Sequence, residues 1–101
     1  MSLSANEYLK RILLAPVYDV AVKTDLVKLD KLSASLGNEI WLKREDQQPV
    51  KSFKLRGAYN KLASLSDQQL QAGVVAASAG NHAQGVAYSA RIKQIQATIV
   101  M

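Results

Sequence analysis

Two stretches of this sequence bring together residue types that can do chemistry. The first is Ser52-Phe53-Lys54-Leu55-Arg56-Gly57-Ala58. Leu55, Ala58, Tyr59, Leu62 and Leu65 fall on one face of a helix. Ser52 is a suitable N-cap for that helix, which would begin at Phe53. Lys54 then sits in the first turn, where unpaired backbone N–H groups and the positive end of the dipole gather. A cation is disfavoured there, and Arg56 adds a second positive charge two residues on. Both favour the neutral amine, and a neutral lysine amine is a nucleophile that forms an imine with a carbonyl. A single lysine in a lysine-rich chain is more often a solvated surface residue, so this stretch alone leaves both readings open.

The second stretch is Ser78-Ala79-Gly80-Asn81-His82-Ala83-Gln84-Gly85. It follows an apolar run and precedes a helical pattern, which places it at the C-terminal end of a strand, where ligands bind in open α/β sheets. A turn of small residues lets backbone N–H groups approach an anion, and the following helix N-terminus attracts it. Asn81 offers both a donor and an acceptor, and it also has the right type to cap a helix from His82 to about Ile92. The spacing is not that of a dinucleotide-binding loop: Gly80 and Gly85 stand five apart with no third glycine, and no phosphate-loop lysine follows. Gly85 within the helix is explained by close packing against a strand or ligand, or is simply tolerated.

Other candidates carry less. His82 is the single histidine, and with no cysteine and no clustered carboxylates a metal site is not expected. Glu45 and Asp46 are adjacent, so on an extended segment they point to opposite faces and read as loop charges. Tyr8, Trp41 and Tyr88 read as packing aromatics rather than stacking platforms for bases.

The elements that must position these residues follow from patterning. A first helix is expected over Ala5–Leu14, with Ser4 and Glu7 at capping-box spacing and Pro16 beyond its end. Tyr8 and Ile12, and Leu9 and Leu13, give it an apolar stripe. An irregular stretch comes next, then a short helix through Leu29, Leu32, Ser33 and Leu36 that stops at Gly37-Asn38. Ile40-Trp41-Leu42 reads as a short buried strand and Lys43 to Pro49 as a loop. Ser66 and Gln69 start another short helix. Val74-Val75-Ala76-Ala77 and Ala97-Thr98-Ile99-Val100-Met101 are continuous apolar runs of the kind buried on both faces of a parallel sheet. With the helix between them they make a βαβ unit with a right-handed crossover. The fold class is therefore α/β. A parallel sheet needs cover that so few elements cannot supply, which implies truncation after the second strand of that unit.

Composition sets outer bounds. The 101 residues are 49% apolar and 21% charged, as in a globular chain rather than a disordered one. No apolar run reaches the roughly 18 residues of a membrane span, and no basic region followed by an apolar stretch marks a secretory signal. The lack of cysteine fits a cytoplasmic setting. The net charge of +5 sits mostly between Lys43 and Lys61, where six basic residues face two acids. That is enough for an anionic small molecule or a solvated face, and it is the sole support for a nucleic-acid-binding module.

Taken together, Lys43-Arg44-Glu45-Asp46, Ser52 to Ala58 and Ser78 to Gly85 resemble the serine/threonine dehydratases of the tryptophan-synthase-β-like (fold type II) pyridoxal phosphate enzymes. The likeness covers nearly the whole chain. Ala15-Pro16-Val17-Tyr18-Asp19-Val20-Ala21 is similar to the biosynthetic threonine deaminases of that family, which convert threonine to 2-oxobutanoate and ammonia at the head of isoleucine synthesis.

The resemblance implies that residues 1–101 are the N-terminal part of a catalytic domain whose remainder, with a C-terminal regulatory domain, is absent. It implies that Lys54 holds pyridoxal 5'-phosphate covalently and acts as catalytic base. Phe53 would pack beside the cofactor ring, and Asn81 would hydrogen-bond its 3′-oxygen. Ser78, Ala79, Gly80 and His82 would receive the carboxylate of an amino-acid substrate. It implies a homo-oligomer for the complete enzyme, with neither nucleic acid nor membrane as partner. A chain without the family's glycine-rich phosphate cradle should bind the cofactor poorly and turn over little. The alternatives are a relative acting on serine, by dehydration or racemisation, and a truncated remnant without activity. Two departures stand out. Asp25 replaces the family's usual proline in Thr24-Asp25-Leu26, so that turn is free to differ. Gln94 stands where a glycine usually ends the last helix, and it cannot enter a left-handed cap as cheaply.

Overall fold

A computed structural model describes residues 2–101. The N-terminal helix α1 spans Ala5–Leu14. Its capping box forms as the spacing predicts: the Ser4 hydroxyl accepts the Glu7 N–H at 3.3 Å, and the Glu7 carboxylate accepts the Ser4 N–H at 2.7 Å. These bonds satisfy backbone donors that a helix start otherwise leaves open. The apolar stripe of α1 is not buried. Tyr8, Leu9, Ile12, Leu13 and Leu14 all remain exposed, and no residue of the helix enters a core.

A single 3₁₀ turn at Val17–Asp19 leads to strand β1, Leu26–Lys28, within the stretch expected to be irregular. Helix α2, Asp30–Leu36, stops at Gly37, and strand β2, Trp41–Lys43, follows. β1 and β2 pair antiparallel, with Leu26 opposite Lys43 and Lys28 opposite Trp41. Three residues with one charged end gave too little alternation to mark β1 as a strand. β2 was expected to be buried, yet all three of its residues are exposed, and Trp41 is instead covered in part by the Lys28 amine 5.8 Å from its ring centroid. Asp25, where the turn was expected to change, uses the N–H that a proline lacks. That N–H donates to Gln47 Oε1, and Gln47 Nε2 donates back to the Asp25 carboxylate, both at 3.1 Å.

Helices α3 (Lys54–Ala63), α4 (Asp67–Ala72) and α5 (Asn81–Lys93) alternate with strands β3 (Val74–Ala77) and β4 (Ala97–Val100). Ser66 and Gln69 form the second capping box at the start of α4. β3 and β4 are parallel neighbours in register from Val74–Ala97 to Ala77–Val100, joined by α5, as the βαβ pattern requires. Between α4 and β3 the chain turns at Gly73, with φ +80° and with no room for a side chain, since a Cβ there would lie 2.9 Å from the Gln96 carbonyl oxygen.

The core lies where α3 packs against α5: Leu55, Ala58, Tyr59, Leu62, Val86 and Ala90 are buried there. Both strands alternate between partly covered and exposed residues, so the expectation of burial on both faces fails. Helices cover one face, and Val75 and Val100 stand on the open one. The radius of gyration, 16.8 Å, exceeds the roughly 13 Å of a compact domain of this length, because α1 and the β1–β2 unit extend from the α3–α5 body.

α5 ends at Gln94 with φ +56° and ψ +40°, a left-handed cap taken without glycine. Its N–H reaches the Arg91 carbonyl at 3.1 Å, and Ile95 N–H reaches Ala90 at 3.0 Å, which holds the cap in place. A non-glycine residue pays about 1 kcal/mol for this conformation. Gln94→Gly is expected to raise stability by about 0.5–1 kcal/mol, read as a higher urea midpoint at unchanged slope. An unmoved midpoint would show that the cap is not strained.

Candidate active site

α3 begins at Lys54, one residue later than the cap pattern suggested. Phe53 occupies the cap position in a helical conformation and offers no side-chain hydrogen bond. Ser52 is not the N-cap: it is buried, and its hydroxyl has no hydrogen-bond partner. The preceding turn places Lys51 at φ +62° and bonds its N–H to the Gln48 carbonyl at 2.8 Å, which carries the chain inward at Ser52. Lys54 is exposed in the first turn of α3, its Nζ 5.1 Å from the Phe53 ring centroid. Among the described residues no carboxylate lies within ion-pair distance of that amine.

The loop after β3 is fixed at both ends. Ser78 N–H extends the strand pairing to the Val100 carbonyl at 2.9 Å. The Ser78 hydroxyl accepts the N–H groups of Gly80 and Ala83 at 3.3 and 3.2 Å, so Ser78, rather than Asn81, caps this helix. α5 starts at Asn81 itself, and Ala79, Gly80, Asn81 and His82 are all exposed. The first-turn N–H groups of Asn81 and His82 find no acceptor among the described residues. An anion at this helix start meets free N–H donors and the positive end of the dipole.

The two stretches meet where α5 crosses α3. Gly85, one turn after Asn81, lies against the peptide that joins Lys54 to Leu55: a Cβ on Gly85 would be 3.1 Å from the Lys54 carbonyl carbon and oxygen. The close approach expected of this glycine is therefore to a helix backbone, not to a strand. His82 faces a cleft of about 270 Å³ that it shares with Gly57, Ala58 and Lys61 of α3 and with Val75 of β3. The peptide that follows Lys54 thus touches α5 one turn beyond Asn81.

A polar network behind α3 went unread in the sequence. Glu45 is not a loop charge: it accepts both Nε and Nη2 of Arg56 at 2.9 Å, the Thr24 hydroxyl at 2.7 Å and the Gln48 amide at 3.2 Å. The Arg56 hydrogen bonds hold the Glu45 carboxyl down to about 2; partial burial opposes them, and the Thr24 and Gln48 bonds add to them. The same carboxylate pushes the Arg56 guanidinium up. Arg56, stacked 5.4 Å from the Tyr18 ring centroid, is thus a paired cation rather than a free charge beside Lys54. Gln48, fully buried, also bonds both the N–H and the carbonyl of Val22 at 2.9 Å. Tyr59 OH donates to Asp19 at 3.1 Å. Three segments are thereby tied to the helix that carries Lys54. The sequence signal was present in the acid at Glu45 and the base at Arg56, but only the turn at Glu45–Gln47 brings them together.

The fold is mixed, with one parallel strand pair and a lysine without an ionic partner at the start of the helix that packs against α5. The family model described as pyridoxal-phosphate dependent enzyme matches residues 17–101, and the chain belongs to that family. The L-threonine dehydratase biosynthetic IlvA of Burkholderia multivorans is 57% identical over 99 residues, which are 98% of this chain and 20% of the relative. The processed form of threonine deaminase isoform 2 from Solanum lycopersicum superposes with a TM-score of 0.90 at 50% identity, over 100% of this chain and 29% of that one. Maize serine racemase follows with a TM-score of 0.81 and 35% identity, over 88% and 28%. The chain spans about a fifth of the length of the curated relatives it matches. It carries part of the fold type II architecture, as the α/β reading expects.

The residues present fit pyridoxal phosphate in two respects. Its aldehyde requires an amine without an ionic partner, and Lys54 is one; its ring oxygen requires a hydrogen-bonding side chain, and Asn81 presents an exposed amide that would serve. No helix is long and apolar enough to cross a membrane, and no cluster of metal-ligating side chains occurs, among the described residues.

Proposed function

We propose that this chain is the lysine-bearing, N-terminal part of the catalytic domain of an enzyme that converts L-threonine to 2-oxobutanoate and ammonia. The observation that carries the reading is Lys54, without an ionic partner in the first turn of α3, whose own peptide packs against Gly85 of α5 in a chain whose relatives are named threonine dehydratases. Lys54 would hold pyridoxal phosphate, and its amine, once free, would take the α-proton onto Nζ as general base. When bound, the cofactor would supply an electron sink for the carbon that loses this proton. Phe53 would pack beside the ring, and Asn81 would hydrogen-bond its oxygen. Ser78, Ala79, Gly80 and His82 receive the substrate carboxylate, with the α5 dipole behind them and the Ser78 hydroxyl hydrogen still free to donate. The β-hydroxyl would leave as water, taking up a proton, and the released enamine would be hydrolysed in solution to 2-oxobutanoate and ammonia.

The complete protein is read as a cytoplasmic homo-oligomer of isoleucine biosynthesis. The absence of cysteine supports the first part of that reading, the family resemblance the second, and the relatives' biosynthetic naming the third. The second reading is a serine-acting enzyme, favoured by the likeness to maize serine racemase.

A pair of chimeras separates them. Joining this chain in parallel to the remaining parts of the tomato deaminase and of maize serine racemase restores full family length, so that a preference common to both comes from this chain. The expected result is threonine turnover to 2-oxobutanoate that exceeds serine turnover to pyruvate by at least about tenfold in kcat/KM, the order of discrimination that a single methyl contact supplies. Equal or greater activity on serine would give the second reading first place.

A further inference from the structure

We propose that Gly85 is a positioning residue for Lys54, setting the span between its amine and the cofactor-holding Asn81; the inference rests on the role proposed for Lys54. Glycine at a helix interior is disfavoured against alanine, and Gly85 lies within the first half of α5. What requires it is the crossing with α3. A methyl group there would sit 3.1 Å from both the carbonyl carbon and the oxygen of Lys54 and 3.3 Å from the Leu55 nitrogen. All three atoms are backbone, so no side-chain rotation relieves the contact, and the two helices must part by a few tenths of an ångström. The Gly85 carbonyl is held from its own side by the fully buried Ser89 hydroxyl at 2.7 Å, which limits how far α5 bends away. Because Lys54 owns the peptide at the contact and Asn81 lies one turn back on α5, a side chain at this position moves the anchoring amine relative to the residue that orients the cofactor. Displacements of this kind are costly where reacting groups must meet within narrow limits.

The test uses the deaminase chimera of full family length with pyridoxal phosphate, borohydride reduction and mass-spectrometric mapping. Labelling of Lys54 is divided by the mean of the other lysines. Gly85→Ala is expected to lower that selectivity by about tenfold, and Gly85→Val to remove it, with loss of the visible absorbance of the bound cofactor. Ser66→Ala, which removes the cap of α4 at the far end of α3, serves as the stability control and should keep wild-type selectivity. Gly85→Ala is also assayed in trimethylamine oxide, which favours the folded state. Low selectivity that persists in the osmolyte supports positioning. Wild-type selectivity in Gly85→Ala, its recovery in the osmolyte, or an equal loss in Ser66→Ala would each overturn the inference. A wild-type chimera without preference for Lys54 would instead remove the role of Lys54, and the inference with it.

Discussion

Lys54→Ala in the deaminase chimera is expected to lower threonine turnover by about four orders of magnitude or more, the scale on which removal of a catalytic nucleophile or base acts. Two roles are lost at once, since the same Nζ anchors the cofactor and accepts the α-proton. Lys54→Arg separates chemistry from charge. Arginine keeps a cation at the start of α3 but neither loses its proton nor attacks a carbonyl under working conditions. The variant should therefore be as inactive as alanine. Substantial 2-oxobutanoate formation by Lys54→Arg would mean that position 54 contributes charge alone and that another amine carries the reaction.

The second large effect falls on stability. Glu45→Ala is expected to destabilise the chain by about 2–3 kcal/mol. It strips Arg56 of its bidentate partner and leaves the Thr24 hydroxyl and one Gln48 N–H without their acceptor. The full penalty for breaking a buried pair is larger, but the Arg56 and Glu45 side chains remain 26% and 17% exposed, so water recovers part of it. The pH dependence has a definite sign. The Glu45 carboxyl falls from an ordinary value of 4.5 to about 2 in the fold. Its contribution is therefore fully present above pH 4.5 and disappears as pH drops through 2, amounting to about 2 kcal/mol after solvent screening. Urea titrations of wild type and Glu45→Gln should show a stability gap at pH 7 that narrows steadily below pH 4.5. A gap of constant size down to pH 2 would mean that the carboxylate is not what holds Arg56.

Much of this architecture is legible in the sequence because its signals are local. Ser4–Glu7 and Ser66–Gln69 announce their helices through bonds made within a single turn. The βαβ unit is readable because two apolar runs flank one helical period. What the sequence conceals depends on contacts between distant segments. β1 is three residues long, and only its pairing with β2 makes it a strand. The role of Gln48 is invisible because its partners, the backbone groups of Val22, lie 26 residues away and have no side-chain signature. The expected burial of β2 and of both sheet faces fails, and the apolar stripe of α1 stays exposed, for one physical reason: apolar patterning reports that a face needs cover, not which segment supplies it. The candidate site divides in the same way. Lys54 and the Ser78–His82 loop stand out by residue type. Their proximity, and the reason for a glycine at position 85, emerge only from the crossing of α3 and α5. Gln94 shows the converse, for its unsuitability as a left-handed cap is a matter of cost, and two backbone hydrogen bonds meet that cost.

The most direct test of the central claim is the identity of the lysine that takes the cofactor. The deaminase chimera of full family length is mixed with pyridoxal phosphate, reduced with borohydride, digested and mapped by mass spectrometry beside Lys54→Ala. The account predicts a pyridoxyl group predominantly on Lys54, with visible absorbance in the wild type that the variant lacks. A label spread evenly over the lysines, with the same pattern and absorbance in Lys54→Ala, would contradict it: the chain would then carry the family's sequence without a formed anchoring site.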